Sequence, residues 1–230
     1  MLLFPINILG NELHPCDKVK NLGVIFDNEL SLSKHVSSVC RSCFYFIRDF
    51  SRIRRHLTRS AAITLANALV TSRLDYCNSL LHSITGKEIN RLKRVQNTLC
   101  RIISRLPRRA GTSKVMKSLH WLPIPFRINF KLLLITYKAL NTNQPPYLSS
   151  DLRQFTCQTQ TRRTDPDLNL LYVPPFQPKL YKSWTQFYYS FSYAAPHMWN
   201  SLPLDVRTAP SVDSFRQRLK TYLFSLAFPP

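Results

Sequence analysis

The feature that most restricts this chain is an apolar repeat of three and four residues that starts at Leu32 and is renewed twice before Pro107. Leu32, Val36, Val39, Cys43, Phe46, Phe50 and Ile53 share one helical face. Ala62, Ile63, Ala66, Leu69 and Val70 share a second, and Ile89, Leu92, Val95, Leu99, Ile103 and Leu106 a third. A stripe of that period is buried only when its helix lies against another element. Three in succession predict a small helical bundle. The punctuation agrees. Ser31 or Ser33 suits the first helix start, and the second starts after Thr58. Thr85-Gly86-Lys87-Glu88 reads as a capping box, with the Glu88 carboxylate bonding back to the cap amide, and Pro107 ends the third helix.

The flanks read differently. Ile6–Leu9 and Leu22–Phe26 are short β-type runs separated by turn residues at Gly10-Asn11 and Pro15, which predicts one β-hairpin with a long loop. Downstream, a short helix is expected over Ser113–His120, and another over Phe126–Leu140 behind a first-turn Pro125. A last helix begins at Ser211, with Phe215, Leu219, Tyr222, Leu223 and Leu226 on one side and Asp213 at its positive end. Eleven of the sixteen prolines fall from Pro145 onward, so the back of the chain is irregular. Leu168–Val173 and Phe187–Tyr193 are read there as strands. The expected class is α+β, mainly α. It has a hairpin in residues 1–30, a helical bundle in 31–110, and a helical and irregular C-terminal region with short strands in 111–230.

Charge narrows the function. Lys plus Arg is 32 against 12 acids, a net charge of +20. A surplus of that size repels itself unless a polyanion is near. Most of it is local: Arg41 to Lys117 holds 17 basic and three acidic residues, a net +14. One cluster is Arg48, Arg52, Arg54, Arg55, His56 and Arg59, at the junction of the first two helices. The other is Lys87, Arg91, Arg94, Arg101, Arg105 and Arg108, at offsets that stack on one face of the third helix, away from its apolar stripe. A solvated face interleaves glutamates, and Glu88 is the one acid of that helix. Phosphate-backbone contact is the expectation for both clusters.

Other classes fall away. No apolar run approaches the ~20 residues of a membrane span. Met1-Leu2-Leu3-Phe4-Pro5 lacks the basic start of a secretory signal. Cysteines at 16, 40, 43, 77, 100 and 157 read as reduced thiols. The expected location is nuclear or cytoplasmic, not secreted, with no membrane partner. Cys40 and Cys43 near His35 have zinc-ligand spacing without a second ligand pair, and Cys43 falls on an apolar stripe. Asp165 and Asp167 flank Pro166 in a loop and suit a turn better than a metal pair. Asp75 is expected to fix local backbone or pair with an arginine. His120, Trp121 and Trp199 are expected in packing, with base stacking by Trp121 as the sharper alternative. No metal site and no catalytic set emerges from these residues.

Several ordered strings say more. Lys20-Asn21-Leu22-Gly23-Val24-Ile25-Phe26-Asp27 with His35, then Ser72-Arg73-Leu74-Asp75-Tyr76-Cys77-Asn78 and Arg94-Val95-Gln96-Asn97, form the first half. Leu119-His120-Trp121-Leu122-Pro123-Ile124 with Arg127-Ile128, Tyr137-Lys138-Ala139-Leu140, Trp199-Asn200-Ser201-Leu202-Pro203 and Phe215-Arg216 follow. This order, from about residue 18 to 228, resembles the end of the palm, the thumb and the C-terminal region of non-LTR (LINE-type) retrotransposon reverse transcriptases of the jockey and chicken-repeat group. The resemblance implies a primer-grip-like hairpin at Leu22, Gly23 and Val24, a helical thumb over 31–110, and template–primer (RNA, DNA or an RNA–DNA hybrid) as partner. The family's magnesium ions sit on palm carboxylates in a Phe/Tyr-x-Asp-Asp turn, and no Asp-Asp pair occurs in this sequence. The resemblance therefore carries no catalytic residue and no cofactor onto this chain, which is expected to be inactive as an RNA-directed DNA polymerase by itself. Two other readings share the charge: a basic nucleic-acid or protein interaction module reused by the host, and a subunit that completes a palm-bearing chain.

Overall fold

The computed structural model describes residues 6–14, 16–155, 169–175 and 190–229. It is mainly helical, with its strands at the N-terminus. There the single long hairpin is replaced by two short ones. β1 (Ile6–Ile8) pairs antiparallel with β2 (Asn11–Leu13), and β3 (Lys18–Asn21) with β4 (Val24–Asp27). Leu9-Gly10 and Leu22-Gly23 form the turns, with all four residues at positive φ. That is the two-residue turn whose twist matches a hairpin. A leucine at its first position is costly there, which hid the second turn in the sequence; the first lies one residue from the turn expected at Gly10-Asn11.

The helices then follow: α1 (Ser33–Ile53), a 3₁₀ turn over Arg54–His56, and α2 (Arg59–Ala66), which runs through a π turn into α3 (Ser72–Asp75). After a 3₁₀ turn at Asn78–Leu81 come α4 (Gly86–Ile103), α5 (Ser113–Ser118), α6 (Ile124–Thr142) and α7 (Pro146–Ser150). α8 (Phe191–Asn200), α9 (Leu204–Arg207) and α10 (Val212–Ala227) close the chain. Thr58, Thr85 and Ser211 each accept an amide at the start of their helix. The Glu88 carboxylate does not complete the capping box; it accepts from Ser33 Oγ and Arg91.

α4 stops at Ile103, short of Leu106. Arg105 takes a left-handed conformation at φ 52°, Leu106 N donates to Arg101 O and Arg105 N to Ile102 O. This is a Schellman ending, forced because Pro107 keeps Leu106 out of the helical region. α5 ends in the same way at His120, which puts Trp121 beside Met116 in the core. On α1 the buried stripe is Val36, Cys40, Cys43, Ile47 and Phe50, while Ile53 lies exposed because the helix gives way to the 3₁₀ turn. Of the two expected C-terminal strands, Leu171 makes a single bridge with Gln154; its N–H and carbonyl are held by the Asn200 amide. Phe191–Tyr193 are helical, and residues 168 and 187–189 lie outside the described set.

Two apolar cores meet along α6. Val24, α1, α2, α4, Trp121, Ile124 and Ile128 build the first; Leu122, Leu133, Tyr137, Trp199, Phe215 and Leu219 build the second. Trp121 and Leu122 are neighbours yet enter opposite cores. Buried Gln96 holds the chain at that crossing: its Nε2 donates to Leu122 O at 2.8 Å and its Oε1 accepts from Ile124 N at 3.2 Å. In the second core the Phe215 ring stacks on Tyr137 at 4.2 Å and faces Trp199 at 5.8 Å.

Candidate nucleic-acid interface

α1 and α4 run parallel. At one end Ser33 Oγ donates to Glu88 at 3.0 Å and Arg91 donates to Ser37 Oγ at 2.9 Å; at the other Arg54 reaches Ile103 O. These contacts fix which edge of each helix faces the seam. With helical spacing, Lys34, Arg41, Arg48 and Arg52 lie just outside the seam on α1, and Lys87, Arg94 and Arg101 just outside it on α4. The result is a basic ridge two helices wide. Phe44 and Tyr45 are exposed within it, and the Arg48 guanidinium lies 5.4 Å from the Tyr45 ring centre. Exposed aromatics among cations suit sugar and base contact. They were missed from sequence because a helical Phe next to an apolar stripe reads as core.

The structure divides the predicted arginines into two groups. Arg48, Arg52, Arg55, Arg59, Lys87, Arg94 and Arg108 are exposed. Arg48 and Arg52 share Asp49 at 3.6 and 3.7 Å, exposed pairs of little strength that leave both charges available. Arg55 donates to His56 and Arg59 to Ser118 Oγ. Lys87, Arg94 and Arg108 make no ion pair among the described residues. The other group holds the fold. Arg54 is buried, donating from Nε and Nη2 to Ile103 O and from Nη1 to Leu57 O. Arg105 returns the contact by donating to the carbonyls of Arg54 and Arg55 at 3.4 and 3.2 Å. Arg91 is tied to Glu88 and Ser37, and Arg101 donates to Ala110 O at 2.9 Å. Burial, and then the Arg105 charge, lower the Arg54 pKa.

Leu22, Gly23 and Val24, expected to form a primer-grip-like hairpin, sit at the β3–β4 turn. Leu22 and Gly23 form its exposed tip and Val24 turns inward to the first core. The Tyr76 hydroxyl donates to Leu22 O at 2.6 Å, and its ring is 3.4 Å from where a Gly23 side chain would start. A Cβ at Gly23 would also be strained at φ 83°. Ile25 N donates to His35 Nδ1 at 3.5 Å, so the hairpin is tied to α1 as well.

The remaining candidates resolve into structure. Asp75 takes both Nε and Nη2 of Arg127 in a two-point ion pair. Cys40 and Cys43 are buried thiols, with burial pushing Cys43 up to about 12. Trp121 is buried in the first core, which removes it as a stacking platform, and Trp199 in the second. Among the described residues no group of three or more His, Cys, Asp or Glu side chains converges on a metal position. Of the described carboxylates, Asp27, Asp75 and Glu88 are taken by Ser31, Arg127 and Arg91 respectively. Asp165 and Asp167 lie outside the described residues. No helix of the described set is long and apolar enough to cross a membrane. Comparison with protein-family models, curated proteins and solved structures finds no match to this chain.

Proposed function

We propose that this chain binds RNA, DNA or an RNA–DNA hybrid along the α1–α4 ridge, as the palm-end, thumb and C-terminal portion of a non-LTR retrotransposon reverse transcriptase, and that it does not polymerise by itself. The observation that carries the reading is the ridge: Lys34, Arg41, Arg48, Arg52, Lys87 and Arg94 line one seam, with Asp49 beside Arg48 and Arg52 and with buried Glu88 taken by Ser33 and Arg91. A duplex or strand laid along it exchanges condensed counterions for fixed cations. Further support comes from the resembling strings. Leu22 meets Tyr76, Ile25 meets His35, Asp75 meets Arg127, and Gln96 meets Leu122 and Ile124. Residues that hold separate elements together are those an architecture needs in fixed order.

The test replaces Arg48, Arg52, Lys87 and Arg94 by Glu, four exposed positions whose loss spares the clamps at Arg54, Arg91, Arg101 and Arg105. Affinity for a labelled RNA–DNA duplex should fall at least about tenfold, with a salt slope shallower by about 0.9 per lost phosphate contact. Unchanged affinity and slope would remove the ridge. Nucleotide incorporation on a primed template with magnesium by the chain alone would remove the inactive reading.

A further inference from the structure

The C-terminal ends of α1 and α4 come together around a cleft of about 430 Å³, lined by Arg54, Thr58, Arg59, Ser104 and Arg105. Three guanidinium groups share it, and no carboxylate lines it among the described residues. Arg54 is 8% exposed. Its three bonds go to neutral carbonyls, two to Ile103 and one to Leu57. A guanidinium carries five N–H groups, so two of those on Arg54 have no acceptor among the described residues. Arg105 is held beside it by the Arg54 and Arg55 carbonyls. Arg59 touches Ser118 Oγ at 3.4 Å, a long bond that leaves most of its donors open. Thr58, the N-cap of α2, brings the positive end of that helix to the rim.

Carbonyl acceptors orient a guanidinium without cancelling its charge. Two such groups held together with no acid nearby, one of them buried, are unfavourable until an anion arrives. A tetrahedral oxyanion supplies several acceptors at once and suits the fork of arginine. We infer that this cleft is a binding site for a phosphate group. On the proposed function it takes a phosphate of the nucleic acid where the ridge ends beyond Arg52 and Arg55; binding of a free phosphate does not depend on that reading.

The test compares thermal unfolding of the full chain in chloride and in inorganic phosphate at equal ionic strength. A saturable rise in Tm of about 3–6 °C is expected at ten times the apparent Kd. Arg59→Gln should weaken the response. Ser104→Glu places a carboxylate in the cleft, so it should raise Tm in chloride and abolish the response to phosphate. No response in the native chain, or an unchanged response in both variants, overturns the site. Oligonucleotide binding by Ser104→Glu then identifies the source: weakened binding assigns the cleft to a nucleic-acid phosphate, and unchanged binding assigns it to free phosphate. A phosphate response that persists in the Arg48, Arg52, Lys87 and Arg94 to Glu variant, while native and variant chains bind oligonucleotide equally, keeps the cleft and removes the ridge.

Discussion

The two cores of this protein treat their polar groups in opposite ways. Around the first, arginines close the helix ends: Arg54 binds the last carbonyl of α4, and Arg105 binds those of the turn after α1. Around the second, neutral side chains do most of that work. Tyr137 donates to Ala209 O at 2.7 Å, Trp199 to Asn169 O at 2.8 Å, and Asn200 exchanges two bonds with Leu171. Of the charged side chains near the second core, Arg216 pairs with Asp213 at 3.1 Å and Arg218 donates to the Asp205 carbonyl. The difference is electrostatic. A carbonyl satisfies a guanidinium's donors but leaves its charge standing, so the first region remains strongly positive even where every arginine has a structural duty.

That contrast can be broken by mutation. The largest effect is expected at the centre of the second core. Phe215→Ala should cost about 3–5 kcal/mol in urea unfolding, since it removes the ring between Tyr137 and Trp199. Arg54→Leu should cost about 2–3 kcal/mol by orphaning the carbonyls of Ile103 and Leu57, whereas Arg94→Leu should stay within about 0.5 kcal/mol. Equal costs at the two arginines would erase the division into clamps and free cations. Gln96→Leu should cost about 1–3 kcal/mol by leaving Leu122 O and Ile124 N unpaired where the cores part.

The smallest effect is a pH dependence centred on His35, at the edge of the first core. Burial holds the His35 pKa below its usual 6.5. The unfolded chain therefore takes up that proton first as pH falls. Stability is complete above pH 6.5 and declines as pH drops through the lowered folded value. His82 is shifted the same way by burial and by His197 and adds to the decline. Urea titrations at pH 7.5 and below pH 6 check the direction, and His35→Gln should reduce the drop. A drop that does not shrink in that variant would show that His35 does not contribute.

Some of this was legible beforehand. Thr58, Thr85 and Ser211 announced their helices because an N-cap is a local event between a hydroxyl and an amide two or three residues on. The apolar stripes located α4 and α10 to within a few residues, and the arginine-rich face of α4 was visible as spacing alone. Asp75 reads as fixing local backbone or pairing with an arginine; its partner, 52 residues away, was not legible. The turn near Gly10 was expected, but as part of one long loop; the turn at Leu22-Gly23 was missed because Leu22 is a poor turn residue, tolerated only beside Gly23. No local signal in the sequence marks Gln96 as buried. Its burial follows from the Trp121–Ile124 segment folding over it, which no local pattern encodes.

For the candidate interface the division is sharper. Sequence alone determined that the charge is concentrated between Arg41 and Lys117, that it rides on amphipathic helices, and that no Asp-Asp pair accompanies it. Composition and period suffice for that, since both are properties of residues a few positions apart. Only the tertiary structure decided which cations are free. Arg48 and Arg54 are six residues apart and read alike, yet one faces solvent and the other clamps a carbonyl of α4. That outcome depends on the parallel packing of α1 against α4, which brings the end of one helix to the end of another. A donor's partner is set by where a distant backbone ends, and that is settled only when both cores have closed.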